Sequence, residues 1–242
     1  MCTVSLIPTL SGVRLVCNRD ERRSRPRAIP PRVHSIGALR AVFPVDPASG
    51  GTWIGANDAG LLMTLLNRSA RARSPGSGTA PASRGRIIPS LLAQDLLTRA
   101  VETACALAPA HFEPFQLVIV QGTHVGVVSS DGDRMMRTFM TVSEPMMWTS
   151  SSLGDAAVER PRKALFDRMV SERPADGWSL LQDRFHRHRW PDHRDVSVVM
   201  SRPDTSTVSR TIVEHINGTL TMRYQPLGDE RLVVAQTLER VA

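Results

Sequence analysis

The 242-residue chain reads as an α+β protein assembled from antiparallel hairpins. Three observations predict that class. Apolar or β-branched runs come in adjacent pairs, from Thr3 to Ile7 with Val13 to Cys17 at one end to Val208 to His215 with Thr219 to Tyr224 at the other. Asn217-Gly218, between the last two runs, is the strongest hairpin turn signal in the sequence. Helical periodicity is grouped between hairpins and does not alternate with single strands, which argues for at least two sheet regions and against a doubly wound parallel sheet.

The first hairpin is expected to close through a loop, Pro8-Thr9-Leu10-Ser11-Gly12. Its second strand ends in Asn18-Arg19-Asp20-Glu21, so the pairing brings Arg19 and Asp20 back beside Cys2. Residues Arg22 to Arg32 are rich in arginine and proline and read as irregular, solvated loop, with a lesser possibility that they attract anions at the mouth of a site. Thr52 to Gly55, a turn at Asn57-Asp58-Ala59-Gly60, and Leu61 to Leu66 make a second hairpin ending at Asn67-Arg68.

The stretch from Ser69 to Arg84 is a Ser/Ala/Gly/Pro/Arg segment expected to be a mobile surface loop. Ser83-Arg84-Gly85 then leads into one helix, with Pro89 in its first turn and an apolar stripe running from Leu92 to Leu107. Phe115 to Gln121, His124 to Ser129 and Arg134 to Thr141 read as strands, followed by a short one from Trp148 to Ser152. Pro161 is suited to begin a helix over Arg162 to Val170, and a second helix is expected from Trp178 to His188. Val196 to Met200 reads as a strand before the final hairpin. With no internal repeat, residues 1–242 are expected to form one domain.

Composition is that of an ordinary globular protein, 41% hydrophobic and 22% charged. The formal charge is +7, and Lys163 is the only lysine among 30 basic residues. Such a balance invites a nucleic-acid or anionic-membrane partner, but the arginines are spread along the chain and no basic helix with interleaved aromatics supports either. Apolar runs such as Leu117 to Val120 are too short to span a bilayer. Three cysteines without a CxxC pairing suggest neither a zinc knuckle nor a disulfide framework, and a cytoplasmic location is expected.

Cys2 is the residue on which chemistry converges. Removing Met1 would give it a thiol and a free α-amine, a nucleophile and a candidate base on one residue. An unperturbed thiol titrates near ~8.5 and an α-amine near ~7.7 to 8.0, so the amine can take the thiol proton around neutral pH. Arg19 would favour the thiolate, and Asp20 could orient the amine. Asn67, at the end of a strand, carries an amide suited to an oxyanion; the plainer reading is a strand-end cap. His186, His188 and His193 with Asp192 form the only histidine cluster. On a helix their spacing splits the rings between faces, so a solvated helix end is expected and no metal site.

The Met-Cys-Thr start, Asn18-Arg19-Asp20-Glu21, Gly50-Gly51-Thr52-Trp53-Ile54-Gly55, Asn67-Arg68 and Ser83-Arg84-Gly85 stand in an order that resembles the NRDE family, the transport and Golgi organisation protein 2-like proteins. That family is similar in turn to N-terminal nucleophile (Ntn) hydrolases of the choloylglycine hydrolase and penicillin V acylase type. The resemblance implies a four-layer αββα sandwich of two antiparallel sheets, with Cys2 as nucleophile and Arg19, Asp20 and Asn67 as catalytic partners. It further implies substrate contacts at Asn18, Trp53, Ser151 and Arg210. Ser150-Ser151-Ser152-Leu153 stands where the acylases carry an asparagine, and Arg210 corresponds loosely to a late family arginine. The implied activity is hydrolysis of a linear amide or N-acyl substrate without a cofactor. The alternative is a non-catalytic protein that binds or carries haem or an acyl lipid on the same scaffold.

Overall fold

The computed structural model describes residues 2–68, 81–229 and 232–239. Residues 69–80, most of the expected surface loop, lie outside the described residues. Two antiparallel sheets form the centre. The first comprises β1 (Cys2–Thr9), β2 (Gly12–Arg22), β10 (Met146–Thr149), β11 (Thr205–Ile216), β12 (Thr219–Pro226) and β13 (Val234–Glu239), in the order β10-β1-β2-β11-β12-β13. The second runs in sequence order: β3 (Ile29–Ile36), β4 (Leu39–Val45), β5 (Ile54–Asn57), β6 (Leu61–Asn67), β7 (Phe115–Gln121), β8 (His124–Ser130) and β9 (Met135–Thr141).

Side-chain alternation along the strands explains the layers. Cys2, Val4 and Leu6 of β1, with Val13, Leu15 and Cys17 of β2, enter the core between the sheets and meet Ile54, Ala56, Leu62 and Val118 from the other side. The opposite face of β1 sends Ile7 toward Phe166 and Phe185, which belong to the helical layer of α3 (Asp155–Phe166) and α4 (Trp178–Phe185). The outer face of the second sheet is covered by α1 (Ile87–Leu91) and α2 (Leu97–Cys105), which pack on Leu61, Met63 and Leu117. Helices, sheet, sheet, helices: the expected αββα sandwich is the observed one.

Several local expectations are corrected. The first hairpin closes tightly, because Thr9 pairs with Gly12 and leaves only Leu10-Ser11 as the turn. Pro8 fits within β1 because β10 covers that edge only as far as Leu6, where a missing ladder donor costs nothing. The arginine- and proline-rich segment is irregular only up to Ala28. Ile29 begins β3, an edge strand whose register shifts between Ile29 and Arg32, where Pro30 and Pro31 sit. Neither the β3–β4 pair nor β13 is anticipated from the sequence pattern.

The single helix expected after Ser83 is broken into α1 and α2. Asn57, turning the β5–β6 hairpin, donates its amide to the carbonyls of Leu92 at 3.0 Å and Gln94 at 2.7 Å, while Gln121 accepts from Leu97 N and restarts the helix. The helix expected at Pro161 begins at Asp155, with Pro161 inside it. Val196 to Met200 is buried but irregular, because side chains occupy its carbonyls: Arg162 bonds those of Val196 and Ser197, and Asn18 bonds that of Val198. Asn217 and Gly218 adopt positive φ of 50° and 78°, the two-residue turn that the sequence motif demands.

Candidate active site

The register Cys2↔Arg19 places the start of β1 against the end of β2. Cys2 is 3% exposed and forms part of the wall of a cavity of about 510 Å³, shared with Arg19, Asp20, Trp53, Asn67 and Arg84. Two register positions further in, on the same face, the Cys17 thiol offers a hydrogen bond to Cys2. That bond pulls the Cys2 thiol down against the upward push of burial, and holds the Cys17 thiol well above its ordinary range. Thr64 stands behind them, its hydroxyl 3.9 Å from Cys17 Sγ and 3.2 Å from the Trp53 carbonyl.

Asp20 and Arg19 leave the strand on opposite faces. Asp20 turns toward the helical layer, where its carboxylate accepts from Thr207 Oγ1 at 2.6 Å and lies 3.9 Å from the Arg162 guanidinium. Burial raises its carboxyl, and Arg162 draws it back. Arg162 is itself fully buried, donating to Thr3 Oγ1 at 2.6 Å, Thr149 Oγ1 at 2.9 Å and the carbonyls of Val196 and Ser197. Arg19 turns toward the cavity, stacked 4.2 Å above the Trp53 ring, and pairs with Asp46 and, at 3.2 Å, with Glu21. Arg25 joins the same two carboxylates at 2.7 and 3.6 Å. Trp53 is 7% exposed and its buried Nε1 has no hydrogen-bond partner among the described residues.

Of the residues singled out in the sequence, Cys2, Arg19, Asp20, Trp53 and Asn67 come together around this cavity. Three others do not. Asn18 alternates to the helical face, is 0% exposed, and commits its amide to the carbonyls of His186 and Val198, so it braces the fold and does not meet the cavity. Arg210 pairs across from Asn18 on that same face and donates to Gln225. Ser151 accepts from Arg202 at 3.0 Å and from Leu153 N at 3.2 Å. The serine that meets Cys2 is its neighbour: the backbone N of residue 2 donates to Ser150 Oγ at 3.2 Å, and Ser150 N returns a bond to the Cys2 carbonyl at 3.0 Å.

His186 also corrects its expectation. It is buried between α4 and the first sheet, and burial, reinforced by Arg210, Arg14 and Arg162, drives it well below the usual histidine range. Because both Asn18 amide protons go to carbonyls, Asn18 Oδ1 must accept from His186 Nδ1 at 3.1 Å, leaving Nε2 to accept from Ser5 Oγ at 2.7 Å. Among the described residues no group of three or more His, Cys, Asp or Glu converges on a metal position. Sequence reasoning passed over Asp46, Ser150, Arg162 and Thr207. Ser150, Arg162 (beside Pro161) and Thr207 (in the stretch that carries Arg210) lie in segments that the sequence marks for other reasons.

The sandwich resembles the fold of the Ntn hydrolases. Solved structures of similar fold include the N-acylethanolamine-hydrolyzing acid amidase ortholog of Caenorhabditis elegans, 11% identical with a TM-score of 0.63 over 88% of this chain and 92% of that one. Penicillin V acylase from Agrobacterium tumefaciens is 14% identical with a TM-score of 0.51, over 99% and 91% of the two chains. The C2A mutant of conjugated bile acid hydrolase from Clostridium perfringens is 12% identical with a TM-score of 0.56, over 98% and 92%. At these identities the likeness is one of fold. Residues 12–210 match the family model Transport and Golgi organisation 2, and the chain belongs to that family. No curated protein matches the sequence.

Proposed function

We propose that the protein is a cysteine amidohydrolase of the N-terminal nucleophile type, with Cys2 as nucleophile after loss of Met1. The observation that carries this reading is the position of Cys2 in the wall of a cavity that also holds Asn67 and Trp53, with its thiol drawn down by Cys17 although buried. Cys2 Sγ attacks the amide carbonyl carbon, and the freed α-amine takes the thiol proton and passes it to the departing amine. Ser150 Oγ holds that α-amine in place, and the nearby Asp20 carboxylate orients it electrostatically. Asn67, in the same cavity wall, is the side-chain donor for the oxyanion. Water then cleaves the thioester, releasing the carboxylic acid and restoring the thiol. Arg162 acts behind these groups as a positioning residue, supplying the charge that opposes the upward push of burial on the Asp20 carboxyl.

The test is turnover of a panel of N-acyl amides by wild type and Cys2→Ser, with intact mass recorded on the same samples. Hydrolysis that depends on Cys2, in protein lacking Met1, supports the reading. Retention of Met1, or equal turnover by the variant, removes it.

A second reading is favoured by an adjoining cavity of about 320 Å³, where Tyr224, Pro226, Leu227 and Leu232 form an apolar wall beside Arg22 and Arg27. An acyl lipid or haem would find both an apolar bed and cations there. Haem titration with a Soret shift, or saturable fatty-acid binding, in a protein without amidase activity would favour binding over catalysis. No helix among the described residues is long and apolar enough to cross a membrane.

A further inference from the structure

We infer that Arg84 forms an anion subsite in the Cys2 cavity, and that the substrate is therefore an amide carrying a carboxylate. The inference rests on the amidohydrolase reading for the word amide, but its geometry stands separately. The other buried charges around the cavity are already matched. Arg19 and Arg25 close on Asp46 and Glu21, and Asp20 is held by Arg162 and Thr207. Arg84 has no such partner. Its one hydrogen bond runs from a terminal nitrogen to the Pro114 carbonyl at 2.8 Å, and among the described residues no carboxylate lies within ion-pair distance of it.

The guanidinium is under-compensated where it stands. Burial lowers its pKa, and the attraction of Glu113 and Glu21, both on the cavity wall, does not make up the difference. An incoming carboxylate would supply the missing charge, and a guanidinium with an open pair of N–H groups offers it a two-pronged seat.

The backbone that presents Arg84 is locked. Ser83 Oγ accepts from Gly85 N at 3.3 Å and caps the turn of residues 84–86. Gly85 O accepts from Thr52 N at 2.8 Å. Gly51 lies so close to Gly85 that a Cβ on residue 51 would fall 2.3 Å from the Gly85 carbonyl, so only glycine permits this approach. The lock ties the Arg84 turn to the residue before Trp53, and thus to the cavity wall that also bears Cys2. The backbone beneath the side chain is anchored, and the guanidinium N–H groups not spent on Pro114 remain for a ligand.

The experiment uses matched pairs, each acid beside its methyl ester: N-octanoyl amino acids, with the acid on the amine side, and amides of monomethyl or free dicarboxylic acids, with the acid on the acyl side. Two readouts run in parallel: kcat/KM for hydrolysis, and protection of Cys2 from iodoacetamide. The expected result is an acid-over-ester preference on the order of 10- to 100-fold in at least one series, collapsing toward unity in Arg84→Gln and partly retained in Arg84→Lys. Thermal unfolding of both variants confirms that they are folded, and the charge-retaining variant carries the conclusion if Arg84→Gln is not. Equal handling of acids and esters by wild type, or a preference that Arg84→Gln leaves intact, overturns the subsite while amide turnover keeps the enzyme reading. Acid-selective, Arg84-dependent protection of Cys2 without turnover keeps the subsite and removes the enzyme.

Discussion

Replacing Cys17 by alanine tests how the nucleophile is tuned. Cys17 is fully buried and hydrogen-bonds Cys2, and that bond is the largest influence holding the Cys2 thiol down. Solvent does not replace the lost donor on its own side, because Cys17 is fully buried between the sheets. A hydrogen bond to a charged group contributes about 1.5–3 kcal/mol, which at about 1.4 kcal/mol per unit raises the Cys2 pKa by about 1–2 units. Below both midpoints the thiolate fraction then falls about 10- to 100-fold. The more basic thiolate is also more nucleophilic, with a sensitivity of about 0.4–0.5 per unit, which recovers about 3- to 10-fold. The net expectation is alkylation about 3- to 10-fold slower at neutral pH, with a faster plateau at high pH.

The assay is a pH–rate profile for iodoacetamide, read by mass at Cys2 in a background where the half-buried Cys105 is alanine. Cys17→Ser retains a donor and should keep its midpoint nearer to wild type than Cys17→Ala does. An unmoved midpoint in Cys17→Ala, or identical profiles for the two variants, refutes the reasoning.

Thr207→Val deletes the 2.6 Å donor to Asp20 and should destabilise the fold by about 1–3 kcal/mol. Because the donor favours the ionised form of a carboxyl that burial already raises, the loss should be larger toward high pH and fade on acidification; denaturant titrations at the two ends of the range check it. His186 has a depressed pKa in the folded state, so its contribution is fully present above the unfolded value of about 6.5 and declines as pH falls toward the folded value, by up to about 1.4 kcal/mol per pH unit. His186→Gln should remove that share of the slope, and an unchanged slope in urea melts would contradict it. Gly51→Ala forces a methyl to 2.3 Å from the Gly85 carbonyl and should cost about 1–3 kcal/mol, seen as a lowered Tm.

What could be read in advance follows from how local each signal is. The β1–β2 pairing needs only two short runs and a turn between them, and it correctly brought Arg19 and Asp20 beside Cys2. Asn217-Gly218 announces its own turn through backbone preference alone. The failures need partners distant in sequence. Val196 to Met200 has the composition of a strand, but its carbonyls go to Arg162 and Asn18, side chains that no window around residue 198 contains. The break between α1 and α2 is set by Asn57, some 35 residues earlier. β3 was hidden by Pro30 and Pro31, which are tolerable because the strand is at an edge, a fact known only once the sheet is assembled.

The same limit explains which candidate residues met the cavity and which did not. Along β2 consecutive side chains take opposite faces, so an Asn-Arg-Asp run cannot all address one ligand. Arg19 enters the cavity side, whereas Asn18 and Asp20 turn to the helices. Asp20 still lines the cavity because β1 begins at Cys2, opposite Arg19, so no β1 residue pairs with Asp20 on that side. Asn18, two residues further in, is sealed beneath His186. The helical layer therefore holds the site from behind: Arg162 ties Thr3, Thr149 and Asp20 together across β1, β10 and β2. On this view the serine at position 150 is the natural contact for the amine of residue 2, since β10 is the strand next to β1 and Ser150 is the first residue beyond it. A cavity wall built by adjacent strand ends needs neighbours in the sheet, and these the sequence order alone does not reveal.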